Sequence, residues 1–322
     1  MTIEDLIRQK EEIEARIEKM LASAESQKPK SEPSAEIVAQ ARELNPIDDI
    51  FFNKMGESAE VCEEIISTIL QCPVRVLRVV PQNTIASLQG RGVRLDALAD
   101  VKPVIRVKAE LLADCPIGKK GAKVNIEVQK DDNDDHQKRA LFNAAAIIMN
   151  ETPKGTKKFR DVPDVVVIFI SKFDVFKKGK MYYKINRVIE GLGDVVHNGM
   201  SEYYVNAAVK DRSTEEMSKI ADLMEVFVES DRYDYEQFPK TSERKNQFKN
   251  TEEGVRAMSD GLEAFLEAMA EKRANEREQQ TRVLDIRNLM GNLKLTLEQA
   301  MDALNIPQAD QATYAGLVRE RL

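Results

Sequence analysis

The chain has 322 residues, of which 42% are hydrophobic and 32% charged, which is enough apolar material for at least one full core and excludes wholesale disorder. Its 48 basic residues against 55 acidic ones give a net charge of −7, so a case for nucleic-acid binding has to be local. Three cysteines without a C-x-x-C spacing and two histidines argue against a disulfide framework and a structural zinc site. A run of about 20 apolar residues that would predict a membrane helix is missing, and the charged amino terminus lacks the apolar core of a secretory signal, so we expect a cytoplasmic protein.

The amino-terminal segment carries apolar residues in a seven-residue repeat, at Ile3, Leu6, Ile13, Ile17 and Met20. This repeat predicts an N-terminal helical arm over residues 1–21. Two readings stay open: a solvated helix that lies on its own domain, or a helix through which the chain self-associates. Residues 22–44 are mostly polar and contain two prolines, which indicates a flexible linker.

A globular body is predicted from residue 45, where amphipathic runs indicate helices and alternating or continuous apolar runs indicate strands. The predicted helices start near Asp48 or Asp49 and cover residues 58–70 and 134–150. The predicted strands are 74–80, 93–100, 104–112, 123–130, 164–170, 181–189 and 202–209. The first two strands, separated by glycines, predict a hairpin, and the strand, helix and buried strand from 123 to 170 predict a βαβ crossover. The body is therefore expected to be mixed α/β.

Beyond residue 210 the pattern becomes helical. Residues 214–229 and 251–289 have helical apolar spacing, as amphipathic helices do. Thr296 and Gln299 form a capping-box signature, and Pro307 opens a last short helix, because proline is favoured at the first helical position. Residues 211–322 are therefore predicted to be a separate helical region.

Two acidic residues lie on predicted strands that would place them close together. Strand alternation puts Arg94 and Asp96 on one face, and Glu127 and Gln129 on one face of a later strand. If the strands are neighbours, Asp96 and Glu127 converge, and two close carboxylates repel each other unless a hard cation such as Mg²⁺ lies between them. Gln129 would then help to orient a water molecule. The alternative is a pair of solvent-facing acids.

Local charge gives modest support for a polyanionic substrate. Residues 71–123 contain ten basic side chains against four acidic ones, and a basic surface around an acidic centre suits nucleic acid. The alternative is that these basic residues only keep strand edges soluble.

The sequence also resembles a known family, in several short motifs that occur in the same order. The motifs are residues 45–52 (NPIDDIFF), 60–66 (EVCEEII), 94–99 (RLDALA), 125–129 (NIEVQ), 166–171 (VVIFIS), Asp174 with Val175, 203–206 (YYVN) and 289–295 (LMGNLKL). In these motifs the chain resembles the PD-(D/E)XK nuclease family transposases, the recombination-promoting nuclease group of bacteria. The resemblance covers the chain from about residue 46 to its end.

The resemblance implies a restriction-endonuclease-like core, a mixed central sheet flanked by helices, over residues 45–210, with a mostly α-helical C-terminal region over 211–322. It implies Mg²⁺, or Mn²⁺ or Ca²⁺ in its place, bound by Asp96 and Glu127, with Glu64 or Glu60 as a further, outer ligand. Gln129 stands at the position of the family's lysine. Residues 102–122 look like an insertion beside the site.

The function implied is a divalent-metal-dependent DNA endonuclease linked to recombination, with DNA as the partner and no membrane. Arg139 matches a basic position that would contact phosphate, and Arg94 is a second candidate for this contact. The alternative is a catalytically inactive DNA-binding or self-associating protein that keeps the nuclease fold. Homo-oligomers would form through the N-terminal or C-terminal helices.

Overall fold

The computed structural model describes residues 32–85, 93–104, 115–133 and 135–319. The helices are α1 (Ala35–Glu43), α2 (Asp49–Met55), α3 (Ala59–Ile69), α4 (His136–Glu151), α5 (Glu215–Val228), α6 (Pro239–Asn250), α7 (Glu252–Leu293), α8 (Leu297–Ala303) and α9 (Gln308–Arg319). The strands are β1 (Val74–Ile85), β2 (Val93–Pro103), β3 (Ala122–Gln129), β4 (Val165–Ser171), β5 (Tyr182–Ile185), β6 (Arg187–Val188), β7 (Val195–Val196) and β8 (Met200–Asn206). Within these ranges, no helix combines the length and the apolar character needed to cross a membrane.

The central sheet has six strands in the order β1-β2-β3-β4-β8-β5. β1, β2 and β3 pair antiparallel, β3, β4 and β8 pair parallel, and β5 lies antiparallel on the edge. Helix α4 joins the parallel neighbours β3 and β4, so the predicted hairpin and the predicted βαβ crossover are both confirmed. The sheet is mixed and flanked by helices, and the predicted α/β class with a mixed central sheet is confirmed.

Burial explains why the chain pairs its strands in this way. All seven residues of β4 are buried, as expected for a parallel strand that is covered on both faces. On β3, Val124, Ile126 and Val128 face the larger core formed with α2, α3 and α5. The opposite face of the sheet is covered by α4, through Ala140, Ala144 and other residues of its apolar stripe.

The C-terminal helices take part in the same core as the sheet. Phe227 on α5 packs against Phe52 on α2, with ring centroids 6.1 Å apart, and Phe248 on α6 packs against Phe51 at 5.8 Å. The core therefore crosses the boundary predicted at residue 210. A second cluster lies farther along the chain, where the end of α7 packs with α8 and α9. The capping box of Thr296 and Gln299 is confirmed at the start of α8.

The predicted linker contains a helix. Within residues 22–44, α1 begins after Ser34, whose Oγ accepts a hydrogen bond from the backbone N–H of Ile37, the usual role of an N-cap serine. Ala41 is buried on the body, so packing against other elements stabilises a segment that its polar composition would leave extended. The heptad arm of residues 1–21 and the strand predicted at 104–112 lie outside the described residues, apart from Val104.

The expectation of no disulfide is corrected by the structure. Cys72, before β1, and Cys115, before β3, form a disulfide with their Cα atoms 5.6 Å apart. Their separation of 43 residues hides the pairing in the sequence, because only the antiparallel β1, β2 and β3 arrangement brings the two segments together. Cys62 is the buried free cysteine among the described residues.

Candidate active site

The candidate site lies where β2 separates from β3. The ladder between the two strands ends at the pair Ala97 and Ile126, and Asp96 and Glu127 are the next residues on each side. Oδ2 of Asp96 accepts a hydrogen bond of 3.0 Å from the backbone N–H of Val128. The structure therefore brings together the two acids that the sequence analysis singled out.

Glu127 is fully buried and is held by side chains from two elements. Nδ2 of Asn125 donates to Oε1 at 3.0 Å, and the guanidinium of Arg139 donates to Oε2 at 3.2 Å. Arg139 also donates to Oε1 of Gln129 at 2.8 Å, while Nε2 of Gln129 donates to the carbonyl oxygen of Asp131 at 3.2 Å. Gln129 is thereby held at both ends of its amide. Arg139 and Gln129 are thus in direct contact with Glu127 or with each other.

Local helix geometry explains the position of Arg139. Helix α4 begins after Asp135, whose Oδ1 accepts the N–H of Lys138. Arg139 lies four residues before the buried Asn143, and residues four apart share one side of a helix. The arginine side chain therefore leaves α4 on the side that faces the sheet.

The surroundings of the two acids disfavour their ionised forms. Burial, followed by repulsion from Glu127, raises the pKa of Asp96 well above its usual range. Burial also raises the pKa of Glu127, although the charge of Arg139 and the hydrogen bond from Asn125 oppose this. Such crowding of carboxylates away from water favours either a shared proton or a bound cation.

A third acid, Asp49, was not assigned to the site from the sequence. It is the first residue of α2, and its charge raises the pKa of both Asp96 and Glu127. Burial raises its own pKa, and the charge of Arg139 lowers it. The signal in the sequence was the Asp48-Asp49 pair at a predicted helix start, which by itself is ordinary for a helix terminus.

The donor set fits a two-carboxylate metal site. Within the described ranges, no three His, Cys, Asp or Glu side chains are grouped so that they would bind one metal ion together. Mg²⁺ typically takes one or two protein carboxylates and completes its six oxygens with water and phosphate. Asp96 and Glu127 are oxygen donors on neighbouring strands whose mutual repulsion a cation would relieve, so they fit such an ion.

Two other residues from the sequence analysis have different surroundings. Both carboxylate oxygens of Glu64 accept hydrogen bonds at the first turn of α6, from the N–H groups of Lys240 and Thr241 at 2.9 and 2.8 Å and from Oγ1 of Thr241 at 2.9 Å. Arg94 is exposed and donates to Oε1 of Gln82 on β1 at 2.6 Å. Glu64 thus caps a helix. Arg94, which lies two residues before Asp96 on β2, hydrogen-bonds to the side-chain amide of Gln82.

The chain is similar to a known protein family over part of its length. The family model of the PD-(D/E)XK nuclease family transposases matches residues 115–287. This match includes Glu127, Gln129 and Arg139, and it begins after Asp96 and Asp49. No curated protein and no solved structure matches the chain. The family match covers more than half of the 322 residues, and the chain belongs to the PD-(D/E)XK nuclease family transposases.

Proposed function

We propose that the protein is a divalent-metal-dependent DNA endonuclease with Asp96 and Glu127 as the metal ligands. The observation that carries the proposal is the pair of carboxylates at the separation of β2 and β3, with the pKa of both raised by burial. Burying two like charges is unfavourable. A divalent cation between the two carboxylates would offset their repulsion, and this favours metal binding. Nucleases with this fold generally use divalent metals, which supports the choice of Mg²⁺, with Mn²⁺ or Ca²⁺ as substitutes.

When bound, the ion would supply positive charge to the phosphodiester and lower the pKa of a water molecule. Gln129 would orient the attacking water through its amide, in place of the family's lysine. Arg139 would place positive charge beside the reacting phosphate, since its guanidinium is already fixed between Glu127 and Gln129. Glu64 is left out of the ligand set because both of its carboxylate oxygens cap α6.

Cations near the site support a polyanionic substrate. Lys172 directly follows β4 and Lys138 lies in the first turn of α4, whereas Lys130, directly after β3, is paired with Asp48 at 2.7 Å. Acidic residues share this edge, but Asp132 bonds to His136 at 3.2 Å and Asp135 caps α4. Phosphate contacts by flexible lysines position a DNA backbone without reading its sequence, so DNA phosphates are the proposed partners of this edge.

A second candidate function, favoured by the glutamine at position 129, is a catalytically inactive protein that keeps the fold for DNA binding or self-association. A plasmid nicking assay with Mg²⁺ or Mn²⁺ separates the two. Asp96→Ala and Glu127→Ala should abolish nicking, whereas Asp100→Asn should retain it, because Asp100 lies on the same strand and pairs with Lys123 at 2.6 Å. Equal nicking by wild type and the two alanine variants contradicts the metal ligands. Retained DNA binding without nicking in any of these proteins favours the second candidate.

Self-association through the terminal helices and a cytoplasmic location stay predictions. The solution mass of a chain that lacks residues 1–36 tests the first of them. If the shortened chain forms assemblies with the same number of subunits as the full chain, the arm does not promote dimers.

A further inference from the structure

The turn between α1 and α2 is held by a lysine from α6. Lys249 is buried, and its Nζ donates to the carbonyl oxygen of Leu44 at 2.9 Å, to Oδ1 of Asn45 at 3.2 Å and to Oγ of Ser230 at 2.6 Å. These three acceptors match the three hydrogens of an ammonium group. Lys249 therefore ties the C-terminal helices to the residues that precede α2.

The same turn fixes the carboxylate of Asp48. The backbone N–H of Asn45 donates to Oδ2 of Asp48 at 2.9 Å, and Nζ of Lys130 donates to Oδ1 at 2.7 Å. The negative charge of Asp48 also acts on Lys249. Lys130 follows Gln129 directly, so a continuous set of contacts leads from Lys249 through Asn45 and Asp48 to the edge of the candidate site.

The turn also determines where Asp49 lies. Asp48 is the N-cap of α2, but it makes no side-chain capping bond to that helix, because its two oxygens are used by Asn45 and Lys130. The position of the chain where α2 begins is therefore fixed by contacts with residues outside that helix. Asp49, the next residue, is the third acid whose charge acts on Asp96 and Glu127.

We propose that Lys249 is a positioning residue for the candidate metal site. From α6 it fixes the turn before α2, the helix that carries Asp49 and packs against β2 and β3, the strands of Asp96 and Glu127. This role rests on the proposed function, because its effect is on the affinity of those two carboxylates for a divalent ion. Removing a direct hydrogen-bond partner of a metal ligand commonly changes metal affinity about 10-fold to 100-fold, and Lys249, which acts through the turn and Asp49, is expected at the lower end of this range.

The test uses three variants of the full chain, two to methionine and one to arginine. Lys249→Met keeps a long side chain and removes the donors, and Lys249→Arg keeps a cation. Lys245→Met is the matched control, since Lys245 is also buried on α6 but donates to the carbonyl oxygens of Val226, Glu229 and Arg232. Loss of a buried lysine destabilises both methionine variants, and only Lys249→Met releases the turn before α2.

Calorimetric titration with Mn²⁺ alone gives the deciding measurement. We expect Lys249→Met to bind Mn²⁺ about tenfold more weakly than wild type, Lys249→Arg to recover part of this loss, and Lys245→Met to stay within about twofold. Hydrogen exchange of the α2 amides should accelerate in Lys249→Met and not in Lys245→Met. Unchanged affinity in Lys249→Met, or equal weakening in Lys245→Met, overturns the positioning role. A wild-type chain that binds no Mn²⁺ contradicts the proposed function itself, and the role of Lys249 fails with it.

Discussion

The carboxylate of Asp96 on β2 accepts the backbone N–H of Val128 on β3 at 3.0 Å. The two strands thus stay connected after their regular ladder has ended at Ala97 and Ile126. A side chain replaces a missing ladder bond, which is a local alternative to sheet pairing. Asp96 therefore has a structural role as well as the proposed catalytic one.

Burial of the two acids should lower the stability of the folded protein at pH values above their ordinary pKa. Because burial raises the pKa of Asp96 and Glu127, the folded state holds more protons than the unfolded state above their ordinary pKa values, so stability falls as pH rises through this range. Asp96→Asn, whose amide oxygen can still accept the N–H of Val128, should abolish nicking and raise the melting temperature at pH 7, by roughly 1–2 °C for each kcal/mol gained. Calorimetric melting checks this, and a lower melting temperature in Asp96→Asn contradicts it.

Arg139 should be needed for both stability and cleavage. Arg139→Met leaves the buried Glu127 without its cation, at an expected cost of about 1–3 kcal/mol, and lowers the nicking rate by roughly 100-fold if the guanidinium stabilises the reacting phosphate. Arg139→Lys keeps the charge but lacks the planar fork that reaches Gln129 and Glu127 together, so its rate should be intermediate. Urea unfolding and single-turnover nicking measure the two effects. Equal rates for wild type and Arg139→Met would remove the residue from the mechanism.

Glu64 offers a test of helix capping against metal binding. Glu64→Ala removes the acceptor for three donors at the start of α6, which should cost about 1–2 kcal/mol, as the loss of an N-cap does. Its affinity for Mn²⁺ should match that of wild type. Glu60→Ala is the control, because Glu60 is exposed and bonds to Ser58 on its own helix at 2.9 Å. Weaker Mn²⁺ binding by Glu64→Ala alone would restore it as a ligand.

Lys245 should give the fold a pH dependence. Burial lowers its pKa to about 7, so between pH 7 and its ordinary pKa the unfolded state binds more protons than the folded state. Stability should therefore rise with pH in this window, by at most about 1.4 kcal/mol per pH unit for one proton. The difference in unfolding free energy between wild type and Lys245→Met, measured from pH 7 to 9.5 at constant salt, isolates this contribution. Parallel curves for the two proteins would show that its three carbonyl acceptors keep the ammonium form stable.

The disulfide should stabilise the protein under oxidising conditions. Cys72 and Cys115 close a loop between residues separated by 43 positions, and loops of this length correspond to about 2–4 kcal/mol. Dithiothreitol should lower the melting temperature of wild type and leave that of the Cys72→Ser, Cys115→Ser double variant unchanged. Equal sensitivity of the two proteins to the reductant contradicts the prediction.

Sheet architecture was largely predictable because its signals are local. The alternation of β3, the continuous apolar run of β4 and the glycines after β1 define a hairpin and a crossover without knowledge of distant contacts. The proximity of Asp96 and Glu127 followed from the same alternation, once their strands were taken as neighbours. Their role as metal ligands stays a proposal.

Residues whose environment depends on distant segments were harder to predict. Residues 231–250 are polar in sequence, yet Lys245 and Lys249 are buried there. Three backbone carbonyls satisfy the ammonium group of Lys245, and one carbonyl and two side-chain oxygens satisfy that of Lys249. Glu64 on a solvated-looking helix face caps a helix that lies about 175 residues farther along the chain, at Lys240 and Thr241. Charged side chains carry no sequence signal for such long-range hydrogen bonds.

The segment that joins β2 to β3 leaves the sheet at the end remote from the acids. From Asp96 the strand continues for seven residues to Pro103, and β3 begins at Ala122, five residues before Glu127. At 3.3 Å per residue these stretches separate the ends of β2 and β3, at Pro103 and Ala122, from the two carboxylates by roughly 15–25 Å. A change of length between these two strand ends therefore leaves the pairing of β2 with β3, and with it the position of the proposed metal ligands, unaltered.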